Sequence, residues 1–430
     1  MAAGARRFQI VVACAGALAC SAGFAGAATL RPVPGGPSAS IAAALAAAQP
    51  GDTVLVPPGV YFEHGLLVDK PLFLIGEGQP TIDAGNQGEI ITVTAGGVTI
   101  RGLLFRNVGT SYIEDRAAVR LKGVDGAVVE GNRFENTFFG IYAEHSVRIT
   151  VRGNHLQGPG GREVSTGNGI HLWYCKQARI EDNEIHGHRD GIYFEFVEDS
   201  VIERNFSSHN IRYGLHFMFS HGDEYIDNHF ADNGAGVAVM YTERVKMHGN
   251  LFEHNWGVAS FGLLLKDIRD SEIRHNRFAT NTIALYMEGS DRLEVIDNEF
   301  TDNGYAVRIM ANCMNNTFSR NNFGGNTFDV VTNSRQSFNS FDANYWAEYD
   351  GYDLDGNGVG DIPHHPVRLF SLLVEKAPPG IVLMGSLFVA LIDTAERVMP
   401  VFTPEALVDR SPRMTAIVID DPAVAPGPSR

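Results

Sequence analysis

Residues 213–219 read Tyr-Gly-Leu-His-Phe-Met-Phe, and residues 236–241 read Gly-Val-Ala-Val-Met-Tyr, with Asn228-His229-Phe230 between them. In both glycine-led runs the first and third residues after the glycine are apolar, while the second and fourth vary. That alternation is the period of a strand with one face buried. The two glycines stand 22 residues apart, so the same strand is written twice at a fixed interval.

Extending that interval in both directions organises most of the chain. Gly140, Gly169, Gly191, Gly214, Gly236, Gly262, Ala284 and Ala306 follow one another at steps of 29, 22, 23, 22, 26, 22 and 22. A second series pairs an asparagine with a large apolar residue two places on: Asn132-Phe134, Asn154-Leu156, Asn183-Ile185, Asn228-Phe230, Asn250-Phe252, Asn276-Phe278, Asn298-Phe300 and Asn321-Phe323. Arg204-Asn205-Phe206 fits it with one residue missing. Both series lengthen at the same two coils, so the extra residues near Gly158–Val164 and Trp256–Ser260 read as loops extruded from a constant coil. Short strands separated by corners, each coil supported by its neighbours, describe an all-β solenoid. Parallel crossovers are overwhelmingly right-handed, so the expected fold is a right-handed parallel β-helix of about 22-residue coils with a C-terminal helical tail. Asparagines stacked at one corner are expected to hydrogen-bond along the axis.

The flanks differ from the repeat. Residues 1–27 read as a signal peptide: Arg6 and Arg7, an apolar stretch from Phe8 to Ala22, and Ala25-Gly26-Ala27 as the cleavage site. The β-helix is expected over 28–366, a helical docking segment over 367–415 and a disordered tail over 416–430. Phe388, Ile392, Ala395 and Val398 recur at helical spacing. Losing residues 1–27 takes the net charge from −16 to −18, which excludes nucleic acid as a natural partner. Two of the four cysteines leave with the leader. Cys175 and Cys313 then lie roughly 29 Å apart at a strand spacing near 4.8 Å, far beyond disulfide reach, and two free thiols are expected.

On the outward side of the glycine-led strands, one column reads Tyr142, His171, Tyr193, His216, Ala238, Leu264, Tyr286, Arg308. The next reads Glu144, Trp173, Glu195, Met218, Met240, Lys266, Glu288, Met310. Met218 and Met240 fall in one column on adjacent coils, with His216 two residues before Met218, His221 at the strand's end and His171 two coils back. Thioether and imidazole are soft ligands suited to Cu(I), and a site on this face would be open. Trp173, Tyr193 and Glu195 on the same face, with Phe370, Phe388 and Ile392 in the tail, are the candidate partner-binding residues. His145, His186, His188, His254 and His275 fall at turns or corners and read as surface groups. Asp353, Asp355, Asn357, the Val359 carbonyl and Asp361 follow the start of a calcium loop, with His364 where the closing glutamate would stand.

Several longer strings resemble one family: Gly167-Asn168-Gly169-Ile170-His171-Leu172-Trp173, Tyr213 to Ser220, Val239-Met240-Tyr241, Asn344-Tyr345-Trp346, Asp350-Gly351-Tyr352-Asp353-Leu354-Asp355-Gly356 and Arg368-Leu369-Phe370-Ser371-Leu372-Leu373. From about Ser40 to Met414 the chain is similar to NosD proteins, the periplasmic β-helix subunits of ABC transporters for nitrous-oxide reductase maturation. The resemblance implies a periplasmic accessory protein without enzymatic activity. It also implies an ABC permease and ATPase, a copper-chaperone lipoprotein and nitrous-oxide reductase as partners, and membrane association through the permease. Two other classes compete: a carbohydrate-active β-helix lyase or epimerase, and a structural docking scaffold. Against the first, Glu144, Glu195 and Glu288 share the columns of Lys266 and Arg308, and an acidic protein suits uronates poorly. The Asp-Pro-His run expected of a mannuronan epimerase is also absent.

Overall fold

A computed structural model describes residues 27–32, 39–111, 113–334, 336–398 and 407–419. The expected leader lies outside the described residues except for Ala27. The chain winds into a parallel β-helix whose walls are three sheets of 14, 13 and 12 strands. One coil shows the plan: Val201–Glu203 lies in the first wall, Phe206–Ser208 in the second and Tyr213–Met218 in the third. Every strand of these sheets pairs in parallel with its counterpart on the next coil, as Leu215 does with Val237 and Met218 with Met240. Inside, side chains of one type stack coil on coil. Phe252, Phe278, Phe300, Phe323 and Trp346 form one column, with ring centroids 4.6, 4.8, 5.0 and 4.3 Å apart.

The corners carry the polar order. From Asn132 to Asn344 the asparagines of the first corner are buried and pass an amide hydrogen bond from coil to coil. The Asn205 Nδ2, for example, donates to the Asn228 Oδ1 at 2.9 Å, and the Asn228 Nδ2 to the Asn250 Oδ1 at 3.0 Å. Each Oδ1 also accepts the backbone N–H of the preceding asparagine. Asn205 belongs to this ladder without any missing residue. Phe206 and Ser207 pair with His229 and Phe230, so Phe206 faces outward and Ser207 takes the core position. A second ladder, absent from the sequence reading, runs at the next corner through Asn210, Asn233, Asn255, Asn281, Asn303 and Asn326. The glycine series marks where the third wall begins. A Cβ at Gly236 would stand 2.4 Å from the Gly262 carbonyl oxygen, so the backbones approach too closely there for a side chain.

His188 heads the second ladder through its backbone N–H, but its ring is fully buried and both ring nitrogens lack partners. It is thus no surface group. Burial lowers the pKa of His188 to about 3, of His171 to about 3 and of His364 to about 4. Above the ordinary histidine pKa, folded and unfolded chains are both neutral at these sites. Below it the unfolded chain binds protons that the folded chain refuses, so stability falls as pH drops from about 6.5 toward 3–4, by up to about 1.4 kcal/mol per pH unit for each group. His188→Leu should flatten that slope in urea titrations at pH 7 and 5.5, and should raise stability at pH 7 by about 1 kcal/mol by removing unpaired polar atoms. An unchanged slope would show that His188 is protonated in the native state.

The two ends are closed differently. Helix α1 (Ile41–Ala47) covers the first coil with buried Ile41, Ala44 and Leu45, and Ser40 caps it through the Ala43 N–H. At the far end the tail does not remain helical to 415. Residues 407–414 return to the last coil, where Phe341 bridges Asp409 and Tyr345 bridges Arg413. The fully buried Asp409 carboxylate terminates the first asparagine ladder by accepting from the Ala343 and Asn344 N–H groups, the Asn344 Nδ2 and the Trp346 Nε1. Ile417, inside the segment expected to be disordered, exchanges two hydrogen bonds with the Asn322 side chain. Helix α2 (Leu369–Lys376) and helix α3 (Leu387–Val398) lie between these returns. They pack on the outer face of the third wall, where Phe370, Val374 and Val389 meet Phe328 and Val331. Phe370 is therefore buried core and cannot itself receive a partner. None of the described helices is long and apolar enough to cross a membrane. Cys175 and Cys313 are buried free thiols, as expected, and burial pushes both up to about 11.

Candidate functional site

The outer face of the third wall, ahead of the coils covered by α2 and α3, concentrates the unusual side chains. The register places His171 beside Tyr193 and Tyr193 beside His216. Their rings make a continuous column from Tyr142, with centroids 4.5, 4.7 and 4.8 Å apart. This column is not open to solvent: His171 is 7% exposed and His216 only 3%. The reason is a neighbouring column on the same face, built from the residue before each glycine: Phe139, Asn168, Asp190 and Tyr213. Phe139 flanks His171 at 5.6 Å and Tyr213 flanks His216 at 4.8 Å. Strand alternation shows which way a side chain points but not that two aromatic columns would shield each other.

Beneath the rings lies a charge that the sequence reading missed. Asp190 is fully buried and neither carboxylate oxygen has a hydrogen bond. The His216 Nδ1 stands 3.5 Å from one oxygen and the Arg212 Nε 3.5 Å from the other. Arg212 continues outward to Glu163 on the extruded loop at 3.3 Å. A buried carboxylate is costly without a partner, and here the Arg212 guanidinium and the His216 ring stand beside it. The His171 Nδ1 meets the Asn168 Nδ2 at 3.2 Å, and the Asn168 Oδ1 accepts from the Arg189 Nε at 3.2 Å. Burial, with Arg189 and Arg120 nearby, keeps His171 neutral. An Asp directly before the repeat glycine was the only available signal of the Asp190 cluster.

Toward the end of the strands the face opens. Met218 and Met240 are half-buried cross-strand neighbours. The Tyr193 hydroxyl donates to the Met218 sulfur at 3.5 Å. Trp173 and Glu195 precede them in the same column, both half-buried. His221 does not join them. Its strand ends at Met218, the backbone turns at Phe219 (φ 51°), and His221 bridges Glu198 beyond that corner. His171 is likewise separated from His216 by the Tyr193 ring. Of the five residues expected to bind copper, Met218 and Met240 are paired by register, while His216, on the Met218 strand, is buried in the ring column with its Nδ1 toward Asp190.

The corner after that column carries a further ladder. His145, Tyr174, Phe196, Phe219 and Tyr241 occupy it on successive coils, all with positive φ between 50° and 57°. Their rings stack at 5.4, 4.6, 5.2 and 5.1 Å. Tyr174, Phe219 and Tyr241 are 45%, 36% and 39% exposed. The same corner holds Gly123, Asp267 and Gly289 on other coils, residue types that tolerate left-handed backbone. Aromatic residues there cost conformational energy and leave rings in water, so their placement favours contact with another molecule over coil stability.

The acidic loop at 353–361 folds on its own hydrogen bonds. The Asp353 carboxylate accepts from the Gly356, Asn357 and Gly358 N–H groups, and Asp361 accepts from Leu354. Asp353, Asp355 and Asp361 do not draw together within 4.8 Å of one another. The calcium-loop spacing is therefore met by tight turns whose carboxylates are engaged with backbone amides. On the tail, Val382, Leu387, Phe388 and Leu391 are 84%, 78%, 54% and 60% exposed, while Ile392 is half-buried. The uncovered side of the helical hairpin is thus apolar.

Comparison with known proteins matches residues 157–351 to the family described as periplasmic copper-binding protein (NosD). A protein of Pseudomonas aeruginosa named probable ABC transporter binding protein NosD is 30% identical over 386 residues, which span 85% of this chain and 88% of that one. A protein of the same name from Stutzerimonas stutzeri is 27% identical over 380 residues, 84% of this chain and 86% of its own. Among solved structures, the family 28 exopolygalacturonase of Yersinia enterocolitica aligns with a TM-score of 0.57 at 9% identity, covering 74% of this chain and 78% of that one. The GH87 α-1,3-glucanase of Streptomyces thermodiastaticus aligns with a TM-score of 0.56 at 16% identity, covering 74% and 69%. At such identity these two structures share the fold alone.

Proposed function

From the premise that the chain belongs to the NosD family, we propose that it is a periplasmic binding protein, not an enzyme, that holds copper(I) transiently at Met218, Met240 and His216. It does so while serving assembly of the copper–sulfide centre of nitrous-oxide reductase. The observation that carries this reading is the parallel register that sets two thioethers side by side on one face with a histidine in the same strand. Thioether and imidazole suit Cu(I), and a site with few ligands releases what it binds. His216 supplies an imidazole whose Nδ1 faces Asp190, an outer partner of the kind that orients metal-bound histidines. Opening the ring column by a shift of Tyr193 would bring that imidazole to the thioethers.

Two surfaces divide the partners. The stacked corner aromatics beside Met218 and Met240, together with Trp173, Tyr193 and Glu195, receive the copper-chaperone lipoprotein and the reductase. The apolar side of the α2–α3 hairpin, with Phe388 and Ile392, docks on the permease that works with the ATPase and keeps the protein at the membrane.

Cu(I) titration of the metal-free protein against a competing chelator tests the reading. One equivalent is expected, lost in Met218→Ala/Met240→Ala with an unchanged melting curve. Binding that survives the double substitution removes the site. A Val382→Asp/Leu387→Asp/Leu391→Asp variant should bind copper normally and lose capture by the detergent-solubilised permease.

A further inference from the structure

On the second wall, one trio brings histidine and carboxylate atoms together in a way that neither the copper reading nor coil stability uses. The register sets His155 beside Glu184 and Gln157 beside His186. The His155 Nδ1 lies 3.1 Å from one Glu184 oxygen, and the His186 Nε2 lies 2.8 Å from the other. One atom from each residue falls within 4.8 Å of the other two, and among the described residues this is the one group of three such side chains to do so. Ligand atoms on a tetrahedral zinc stand roughly 3.3 Å apart at the usual bond lengths, so the trio needs only a small contraction.

The surroundings fit a metal better than an ion pair. Elsewhere on this wall, outward carboxylates meet a permanent cation, as in Arg133–Glu135 and Arg277–Glu299, or one histidine at hydrogen-bonding distance, as in His229–Glu253. Glu184 instead has two histidines for ion-pair partners. They hold its carboxyl below the usual range, while burial lowers His186. An ionised Glu184 and a neutral His186 are the charge states that metal ligation requires. The His186 Nδ1 is 2.8 Å from the Ser208 hydroxyl, which in turn is 3.0 Å from the His209 Nδ1. In the metal-free chain the His186 Nε2–H donates to the Glu184 carboxylate; a metal would take that place once the Nδ1 carries the proton, which the Ser208 hydroxyl can accept while donating to His209. Phe206, outward because Ser207 takes the core position, packs edge-on against His186 at 5.4 Å and shields one side.

We propose that His155, Glu184 and His186 form a second metal site, for a borderline divalent cation of the zinc class, with the fourth position open to solvent. Nitrogen and oxygen donors separate it from the thioether site on the third wall, and it stands whether or not that site binds copper.

Zinc(II) alone is the probe. The metal-free full chain, titrated against a chromophoric chelator, should take up one tightly held equivalent. His155→Ala/His186→Ala and the near-isosteric Glu184→Gln should each lose it, and Ser208→Ala should weaken it by about 10-fold. Met218→Ala/Met240→Ala should leave zinc uptake unchanged, and His155→Ala/His186→Ala should leave Cu(I) uptake unchanged. Failure of the wild type to hold zinc overturns the proposal. So does zinc uptake that persists in Glu184→Gln and in the double histidine variant, or that disappears with the methionines. The mutated side chains are partly exposed, and Glu184→Gln keeps the trio's shape, so a melting curve separates lost binding from lost fold.

Discussion

Asn228→Ala is expected to lower the unfolding free energy by about 3–5 kcal/mol, although the substitution removes only a few atoms from one corner of one coil. The Asn228 Oδ1 accepts from both the backbone N–H and the Nδ2 of Asn205, and its Nδ2 donates to the Ile202 carbonyl and the Asn250 Oδ1. All of these groups are buried. Alanine leaves the Asn205 N–H with no acceptor and the Ile202 carbonyl without that donor, at about 1–3 kcal/mol for each buried group left unpaired. The gap faces a packed interior of Phe230 and Tyr225, so water has little room to substitute. Because each coil stands on its neighbours, the weakened step should lower the cooperativity of the whole solenoid. Urea unfolding followed by circular dichroism measures this. A loss below about 1 kcal/mol would mean that a trapped water takes over the amide's bonds.

Asp409→Ala should be at least as damaging, on the order of 5 kcal/mol, but confined to one end. Five donors converge on this carboxylate at 2.9–3.1 Å: the Ala343, Asn344 and Ser411 N–H groups, the Asn344 Nδ2 and the Trp346 indole. Bonds to an ionised acceptor are stronger than neutral ones, and alanine would remove all five. The 407–414 segment would then leave the coil end and expose the last strand edge, a template for edge-to-edge association. Hydrogen exchange should show lost protection over residues 338–346 with the central coils unaffected, and light scattering should show self-association. Asp409→Asn keeps part of the acceptor set and should fall between. Full protection in Asp409→Ala would mean that α2 and α3 close this end without the carboxylate. For this reason, tail docking is better tested by substitutions on the hairpin than by deleting the tail.

The local rules of this chain are written in short range. The period of two, the 22-residue interval and the asparagine-led corners specify the walls, the coil and one polar ladder, because each depends on a residue and its copy one coil away. Cys175 and Cys313 had to be separate for the same reason. The column that joins Met218 to Met240 was readable from spacing alone. The second ladder was not read, since its asparagines precede no fixed apolar partner. Ser207 misled the reading by standing in a core position usually held by a large apolar residue.

The relations between columns and between distant segments come from the folded packing of the face. Asp190 and His216 lie 26 positions apart in sequence and belong to different columns. They meet because parallel stacking offsets neighbouring coils and turns both columns onto the same face. His171 and His216 are buried by the ring columns beside them, a matter of side-chain volume that no periodicity carries. The trio of His155, Glu184 and His186 exists through register between two coils separated by an extruded loop. Asp409 reaches the first asparagine ladder across more than sixty residues, because an unpaired amide at the end of a stack must find an acceptor and this was the carboxylate the folded tail could deliver. The repeating coil follows from local alternation and nearest-neighbour stacking alone. Which polar groups are buried, paired or left open depended on how the whole face packs.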